Sequence, residues 1–286
     1  MIPFSVSYRP APLLFLATFL GMVFLLLGYA PADAGQSLYA VTTDNRLLQF
    51  DSANPCAILS DQFITGLEDE EAIVGIDFRP ATGQLYGLGS SNRLYTINTS
   101  TAIATPVGAE PFVIPIQGKA AGFDFNPTVD RIRMITNTGQ NLRAHPDTGA
   151  IVGFDTNLAY GENDSNEGVQ PLAVGAAYTN PDNDPLTGTT LYDIDARLDI
   201  LTTQSPPNSG TLNTVGSLST ATNVVLGFDI APSGIAYAAL KVNKKSSGGE
   251  CGRSQLVSVN LTNGATTSLG FIGSDNPIRG LAAPAP

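Results

Sequence analysis

Tryptophan is absent from this 286-residue sequence, histidine occurs once, at His145, and cysteine occurs twice. A single histidine excludes a histidine-based zinc cluster, and any Ser-His-Asp triad would have to use His145, which lies in the turn motif RAHPDTG. The nucleophile elbow GxSxG does not occur, and no glycine-rich phosphate loop precedes a helix. The sequence therefore gives little support to a zinc enzyme, a serine hydrolase or a nucleotide-binding protein.

Charged residues are also scarce, at 14% of the chain, and 25 acidic residues outnumber 14 basic ones, for a net charge of −11. Binding of nucleic acid requires clustered lysine and arginine. The only basic cluster along the sequence is KVNKKSSGGECGRSQ (241–255), which has the composition of a surface loop. We therefore expect no nucleic-acid partner.

The first 34 residues predict a signal peptide. Arg9 precedes an apolar run over residues 11–30, and Ala32-Asp33-Ala34 places small residues at the two positions that a signal peptidase reads. We expect cleavage after Ala34 and export to the periplasm or the medium, with no membrane span afterwards, because no later stretch is long and apolar enough. The alternative is that the apolar run is kept as an uncleaved anchor.

Glycine (29 residues) and proline (20 residues) are abundant, and they separate short runs in which apolar residues alternate, as in strands joined by tight turns. Residues 74–108 contain four such runs, which is the content of one β-propeller blade. The pattern recurs in residues 121–153, 173–216 and 226–273, where the opening glycines are Gly122, Gly175 and Gly227, equivalent to Gly75 in the first unit. A repeat of about 50 residues fits propeller blades.

The two ends of the chain complete this repeat. Residues 37–66 look like the last three strands of a blade, and PIRGLAAPAP (277–286) looks like a lone first strand with its glycine, Gly280. Pairing of these ends would close the ring and remove an open strand edge. We predict an all-β fold, a single five-bladed β-propeller over residues 35–286, with blades at about 37–66 plus 276–286, 73–108, 120–153, 173–216 and 225–273.

Three of the predicted first strands, which line the central channel, carry an aspartate two residues after the glycine: Asp77, Asp124 and Asp229. The other two blades have Ala177 and Ala282 there. Residues two apart share a face of a strand, so the three carboxylates point to related places around the ring. One interpretation is a cation site or a catalytic pair, in which like charges raise one pKa. We favour the other, a repeated structural device that hydrogen bonds to nearby backbone.

Two acidic loops, GENDSNEG (161–168) and NPDNDPLTG (180–188), are candidates for Ca²⁺, with Asp164, Glu167, Asp182 and Asp184 as ligands. Calcium takes six to eight oxygen ligands, but neither loop has the EF-hand spacing. Surface turns use the same residues for positive φ angles and local hydrogen bonds. We favour the turn interpretation, and we expect no other cofactor.

Cys56 and Cys251 fall in neighbouring blades of the predicted ring, which favours a disulfide in an exported protein. However, their loops are expected to emerge on opposite faces, and a disulfide needs Cα atoms within about 7 Å. The sequence therefore leaves this pairing open.

Several long motifs resemble a family of exported bacterial propeller-like proteins whose defining domain has no known function. The motifs are GFDFNPTVDRIRMITNTGQNLRAHPDTG, AVGAAYTNP, TTLYDID and PPNSGTLNTVG, and the resemblance covers about Leu38–Leu281. It implies an exported, propeller-like fold. It brings no activity, ligand or catalytic residue to any position of this sequence.

These observations favour a non-enzymatic binding or scaffold module, a monomer whose loops on one face bind an unknown protein or glycan. The alternative is a carbohydrate-active enzyme, because glycosidases use two carboxyl groups about 5 Å or about 6.5–9.5 Å apart. That alternative requires two of the channel aspartates to face an open cleft. In the absence of tryptophan, stacking on a sugar would fall to Tyr86, Tyr95 or Tyr192.

Overall fold

The computed structural model describes residues 1–4, 35–118, 121–223, 226–241 and 251–285. Residues 5–34, which hold nearly all of the predicted signal peptide and its cleavage site, lie outside the described residues. The described chain contains 21 strands and one short 3₁₀ helix, Pro207–Ser209, and its strands form five sheets. The prediction of an all-β, five-bladed propeller is confirmed.

Apart from the last strand, the blades follow one another along the chain, and four antiparallel strands form the body of each blade. Blade 1 contains β1 (Ser37–Thr42), β2 (Arg46–Asp51) and β3 (Asn54–Phe63), and blade 2 contains β4 (Ile73–Phe78), β5 (Leu85–Gly89), β6 (Arg93–Ile97) and β7 (Ala104–Val107). Blade 3 contains β8 (Ala121–Asn126), β9 (Arg131–Thr136), β10 (Asn141–Ala144) and β11 (Ile151–Phe154).

Blade 4 has an additional strand at its outer edge. It contains β13 (Ala173–Tyr178), β14 (Leu191–Asp195), β15 (Ile200–Gln204) and β16 (Thr211–Ser217), and the short strand β12 (Ala159–Tyr160) pairs in parallel with β16. Blade 5 contains β17 (Leu226–Ile230), β18 (Ala236–Lys241), β19 (Ser254–Val259) and β20 (Thr266–Ile272). The segment between blades 3 and 4 therefore covers an edge of blade 4, which the four-run repeat did not predict.

The last strand, β21 (Ile278–Ala282), is the first strand of blade 1. It pairs antiparallel with β1, with Ala40 opposite Leu281 and Val41 opposite Gly280. Around the centre, β21, β4, β8, β13 and β17 lie next to one another in that order, and β17 contacts β21 again. The two ends of the folded chain thus close the ring, as the sequence predicts.

The hydrophobic core consists of five layers, each shared by two neighbouring blades. The alternation along the strands explains this, since both faces of a blade meet another blade. In the layer between blades 2 and 3, the rings of Tyr86 and Phe125 pack edge to face with centroids 5.1 Å apart. Burial of one such side chain contributes about 1.5–3 kcal/mol, so removal of a layer would unfold the ring.

The centre of the ring is closed by tight contact between first strands. A Cβ added at Gly227 would lie 2.5 Å from the backbone nitrogen of Leu281, and Gly75, Gly122, Gly175 and Gly280 are similarly crowded by the next blade. The space left among these strands is about 10 Å³. This is close to the minimum for one water molecule, so the channel has no room for a ligand at this level.

Cys56 and Cys251 form a disulfide, with Cα atoms 5.8 Å apart. The expectation that their loops emerge on opposite faces is wrong, because Cys56 lies within β3, on the outer edge of blade 1, and β3 packs against β20 of blade 5. In the part of the chain that the structure describes, no helix is long and apolar enough to cross a membrane.

Candidate functional site

The fold brings Asp77 of β4, Asp124 of β8 and Asp229 of β17 together at the centre of the ring. Their ligand atoms lie within 4.8 Å of one another, and the three residues are only 6%, 3% and 5% exposed. Within the described ranges, no other group of three His, Cys, Asp or Glu residues is close enough to share a metal ion.

These carboxylates accept hydrogen bonds from the backbone of the first strands. Asp77 Oδ2 accepts from the Phe125 N–H of blade 3, Asp124 Oδ1 from the Tyr178 N–H of blade 4, and Asp229 Oδ2 from the Ala283 N–H of blade 1, at 2.8, 3.0 and 2.6 Å. Each acceptor therefore reaches the residue that follows the equivalent position in the next blade. The aspartates join blades through otherwise unpaired N–H groups of an inner strand edge.

The N–H groups in the blades that follow the two aspartate-free blades are paired within their own blades. Blade 1 has Ala282, and the Phe78 N–H of the following blade is bonded to Asp77 Oδ1 of its own blade at 2.7 Å. Blade 4 has Ala177, and the Ile230 N–H is likewise bonded to Asp229 Oδ1 at 2.6 Å. All five equivalent N–H groups are thus paired by five of the six carboxylate oxygens, and the sixth is Oδ2 of Asp124.

The three carboxyl groups cannot all be ionised at so short a range, because like charges in a buried place disfavour one another. Burial, together with the charge of Asp229, raises the pKa of Asp77 well above its usual value. Burial and the charges of Asp77 and Asp229 do the same to the pKa of Asp124. Burial raises the pKa of Asp229 to about 6, against the lowering effect of its backbone hydrogen bonds and of a hydrogen bond with Asp124. The hydrogen bond between the two side chains raises the pKa of Asp124 and lowers that of Asp229, which is the pattern expected when Asp124 is the donor.

This geometry limits the chemistry of the aspartate cluster. A glycosidase needs two carboxyl groups that face a cleft, whereas these three are buried in a closed channel and engaged with backbone donors. Calcium takes six to eight oxygen ligands, and only one oxygen here is without a backbone hydrogen bond. The arrangement suits a structural bracket among blades.

The acidic loop residues lie apart and are used in local turns. Asp164 accepts from the N–H groups of Asn166 and Thr214 at 2.8 and 2.6 Å, and these hydrogen bonds hold its pKa below the usual value although partial burial raises it. Glu167 accepts from the Asn163 N–H. Asp182 and Asp184 accept from the backbone two residues further on, at 3.0 and 2.9 Å.

Among the aromatic and imidazole candidates, Tyr86 lies directly opposite Asp77 in the β4–β5 pair. Tyr95 is fully buried and donates a hydrogen bond to Glu71, and burial together with this bond raises the pKa of Tyr95 to about 12. Tyr86 is buried between blades 2 and 3, and Tyr192 packs against the layer between blades 4 and 5. His145 Nδ1 accepts from the Asp147 N–H in the turn after β10.

A second site, which we call the inter-blade cavity, lies between blades 3 and 4. Its volume is about 260 Å³, and its lining includes Arg131, Arg133, Arg143, Tyr178, Pro206 and Pro207. The turn between β8 and β9 and the turn between β15 and β16 both contribute to it, so it lies on one face of the ring. No aspartate or glutamate belongs to its lining.

A hydrogen-bonded network fixes the floor of the inter-blade cavity. Arg133 is 2% exposed and donates from Nη1 to Asp155 at 2.6 Å and from Nη2 to Asn208 at 2.7 Å. Arg143 donates from Nε and Nη2 to the two oxygens of Asp155, at 2.8 and 2.9 Å. Such two-point pairs hold a guanidinium in one orientation. Asp155 is therefore shared by two arginines.

Beneath this network, Asp193 is fully buried, and neither of its carboxylate oxygens has a hydrogen-bond partner among the described residues. Burial raises the pKa of Asp193 well above its usual value, although the charge of Arg133 acts in the opposite direction. Among the described residues, Asp155 is the only carboxylate that forms an ion pair with the arginines of the cavity lining. The lining of the inter-blade cavity therefore carries an excess of positive charge.

The inter-blade cavity is not evident from the sequence, because its basic residues are separated along the chain and come together only in the fold. The prediction that residues 241–255 hold the only basic cluster is wrong in space: Arg131 and Arg133 lie two residues apart on β9, and Arg143 is directly opposite Arg133 on β10. The signal was present in the motif RIRMITNTGQNLR, whose alternation and hairpin spacing place these side chains together.

A family model described as a domain of unknown function (DUF4394) matches residues 46–282. No curated protein sequence matches the chain. Among solved structures, a structural genomics protein of unknown function from Bacteroides thetaiotaomicron VPI-5482 is similar at 13% identity and a TM-score of 0.48, over 82% of this chain and 58% of that one. The chain thus spans less than two thirds of that structure.

Two further structures are similar at the same level. A protein of unknown function from Bacteroides caccae has 9% identity and a TM-score of 0.42, over 87% of this chain and 98% of that one. The glutaminyl cyclase of Myxococcus xanthus has 13% identity and a TM-score of 0.44, over 70% of this chain and 88% of that one.

Proposed function

This chain belongs to the DUF4394 family, a domain of unknown function, and from that premise we propose that it is a non-enzymatic binding module whose ligand occupies the inter-blade cavity. The observation that carries the proposal is a cavity of about 260 Å³ with charged groups fixed by a buried network and an apolar wall. Binding sites are typically preformed clefts of this kind, with few polar groups that orient the ligand.

The rigidity of the ring supports binding rather than turnover. Tyr178, which lines the cavity, is the last residue of β13, and its N–H is bonded to Asp124 of the neighbouring blade. Loops held by such a scaffold are commonly used for recognition. The carbohydrate-active alternative is not favoured, because its candidate carboxylates are buried and occupied by backbone donors.

The place of action is part of the proposal. The signal-like N-terminus and the Cys56–Cys251 disulfide both fit an exported protein in the periplasm or the medium, where disulfides persist. We propose that the module acts there as a monomer on a small soluble ligand or on the exposed end of a glycan or protein.

A thermal-shift screen of neutral, cationic and anionic small molecules tests the proposal. At least one compound is expected to raise the melting temperature of the purified protein, because a ligand that binds only the folded state stabilises it. The variant Val129→Trp, at an exposed wall residue, should lose the response, whereas Val113→Trp, at an exposed residue remote from the cavity, should keep it.

Two results would contradict the proposal. The first is that no compound in the screen raises the melting temperature. The second is that a compound raises the melting temperature of the Val129→Trp variant as much as that of the unmodified protein. Turnover of a glycoside that is lost in Asp124→Asn would instead support the enzymatic alternative. NMR of each stabilising compound after prolonged incubation distinguishes binding from turnover.

A further inference from the structure

We infer that the inter-blade cavity recognises a small organic anion through a carboxylate, bound by Arg131 and Arg143; this inference rests on the proposed function. It specifies the chemical class of the ligand, which neither the family nor the similar structures assign.

The charge distribution is the first argument. Three of the 14 basic residues of a chain with net charge −11 line one cavity, and the lining contains no acidic residue. Asp155 is shared by Arg133 and Arg143, so one negative charge faces two positive ones. Arg131 adds a third positive charge, which also interacts with Asp147, the carboxylate paired with Arg79. An otherwise acidic protein has thus concentrated positive charge at one point, which attracts an anion locally.

Unused donors are the second argument. Arg143 donates hydrogen bonds from Nε and Nη2 to Asp155. Arg131 donates from Nη1 to the backbone oxygens of Val129 and Asp130. Within the described chain, Nη1 of Arg143 and both Nε and Nη2 of Arg131 make no hydrogen bond. Guanidinium groups with free N–H donors match the two oxygens of a carboxylate.

The shape and composition of the walls are the third argument. Val129, Pro206, Pro207 and the buried ring of Tyr178 also line the cavity and contribute carbon atoms to its walls. A volume of about 260 Å³ lies below the usual range for drug-sized ligands, so it suits a single sugar or amino acid. The ligand therefore combines a carboxylate with a compact carbon skeleton, as uronic acids do.

A negative charge can be introduced into the cavity at Asn126, which belongs to its lining. Asn126 Oδ1 accepts from the N–H groups of Thr128 and Val129 at 3.0 and 3.3 Å, and a carboxylate oxygen accepts the same bonds. Asn98 in blade 2 has the same role, accepting from Ser100 and Thr101 at 2.9 and 3.0 Å, away from the cavity. Asn126→Asp and Asn98→Asp are therefore matched in their backbone hydrogen bonds, and they differ in that Asn126 also hydrogen bonds with Tyr178.

Isothermal titration of the purified protein with galacturonate, galactose and inorganic phosphate tests the inference. Galacturonate is expected to bind, galactose to bind at least about tenfold more weakly, and added NaCl to weaken galacturonate binding because it screens charge. Asn126→Asp and Arg131→Gln should each weaken galacturonate binding at least about tenfold, with Asn98→Asp unchanged. Thermal melts of each variant report its folding.

Equal affinity for galacturonate and galactose, tighter binding of phosphate than of galacturonate, or an unaffected Asn126→Asp variant would overturn the carboxylate assignment. If only neutral compounds bind and they do so in the cavity, the inference fails while the proposed binding function stands. If no compound of any charge binds, both fail.

Discussion

The backbone N–H of Tyr178 donates a hydrogen bond to Oδ1 of Asp124 at 3.0 Å, across the boundary between blades 3 and 4. The same tyrosine lines the inter-blade cavity, and its hydroxyl accepts a hydrogen bond from Nε of Arg133 at 3.4 Å. The aspartate cluster and the cavity thus share a residue. A change in the cluster can reach the cavity through the end of one strand, β13.

The three aspartates should respond differently to conversion into asparagine. Asp77 and Asp229 each use both oxygens to accept from backbone N–H groups, so an amide NH₂ would face a donor there. We expect Asp77→Asn and Asp229→Asn to lower the free energy of unfolding by about 1–3 kcal/mol. Urea denaturation at neutral pH measures the loss.

Asp124 is the matched control, because only its Oδ1 accepts from the backbone and its other oxygen shares a proton with Asp229. Asparagine keeps an acceptor for Tyr178 and supplies a permanent donor in place of that proton. Asp124→Asn should therefore be as stable as the unmodified protein or more so at neutral pH. A loss as large as that of Asp77→Asn would argue against the assigned hydrogen bonds.

Stability should fall as the pH rises above the range in which the aspartates are protonated. The unfolded pKa of an aspartate is about 3.9, whereas that of folded Asp229 is raised to about 6 and those of Asp77 and Asp124 lie well above the usual value. Between these values the folded state binds more protons than the unfolded state. Unfolding free energies measured from about pH 4 upward should decrease, with a smaller slope in Asp124→Asn.

The first-strand glycines are expected to tolerate no side chain. In Gly227→Ala the new Cβ would meet Leu281 N at 2.5 Å, and that neighbour is backbone that closes the ring. A methyl group forced into packed structure typically costs about 1–3 kcal/mol or more. Gly188→Ala, where a Cβ would meet nothing within 4 Å, serves as the control, and equal melting temperatures for the two variants would contradict the packing of the centre.

The Cys56–Cys251 disulfide joins the two blades that meet at the ring closure, and 195 positions separate the paired residues. Such a long bridged segment restricts the unfolded chain, and loss of a native disulfide typically costs about 2–5 kcal/mol. Cys56→Ser should therefore lower the melting temperature of the oxidised protein, with no further effect of a reducing agent. Reduction of the unmodified protein should reproduce the drop.

Most of the fold could be predicted from the sequence repeat. Glycines at equivalent positions and four alternating runs per unit are local signals, and the incomplete units at the two ends indicated where the ring closes. The strand β12 was not predictable in this way, because Ala159–Tyr160 is too short to show alternation and pairs with β16 about 50 residues away in the chain. The position of Cys56 was predicted wrongly because it was assigned to a loop, whereas β3 begins at Asn54 and includes it.

The aspartate cluster and the inter-blade cavity were harder to predict from the sequence. The register of Asp77, Asp124 and Asp229 could be read from the repeat, but their pairing with N–H groups of the next blade depends on the distance between blades. The inter-blade cavity joins Arg143 of blade 3 to Pro206 of blade 4, and such contacts have no signature in a single sequence. Pairs of arginines on adjacent strands were the one available hint.

Ligand binding in the inter-blade cavity can be tested with a crystal structure of the protein soaked with galacturonate. We expect ordered density in the cavity, with the carboxylate within hydrogen-bond distance of Arg131 and Arg143 and the sugar ring against Val129 and Pro206. Density beside Asp77, Asp124 and Asp229, or an ordered ligand elsewhere with the cavity holding only water, would contradict it.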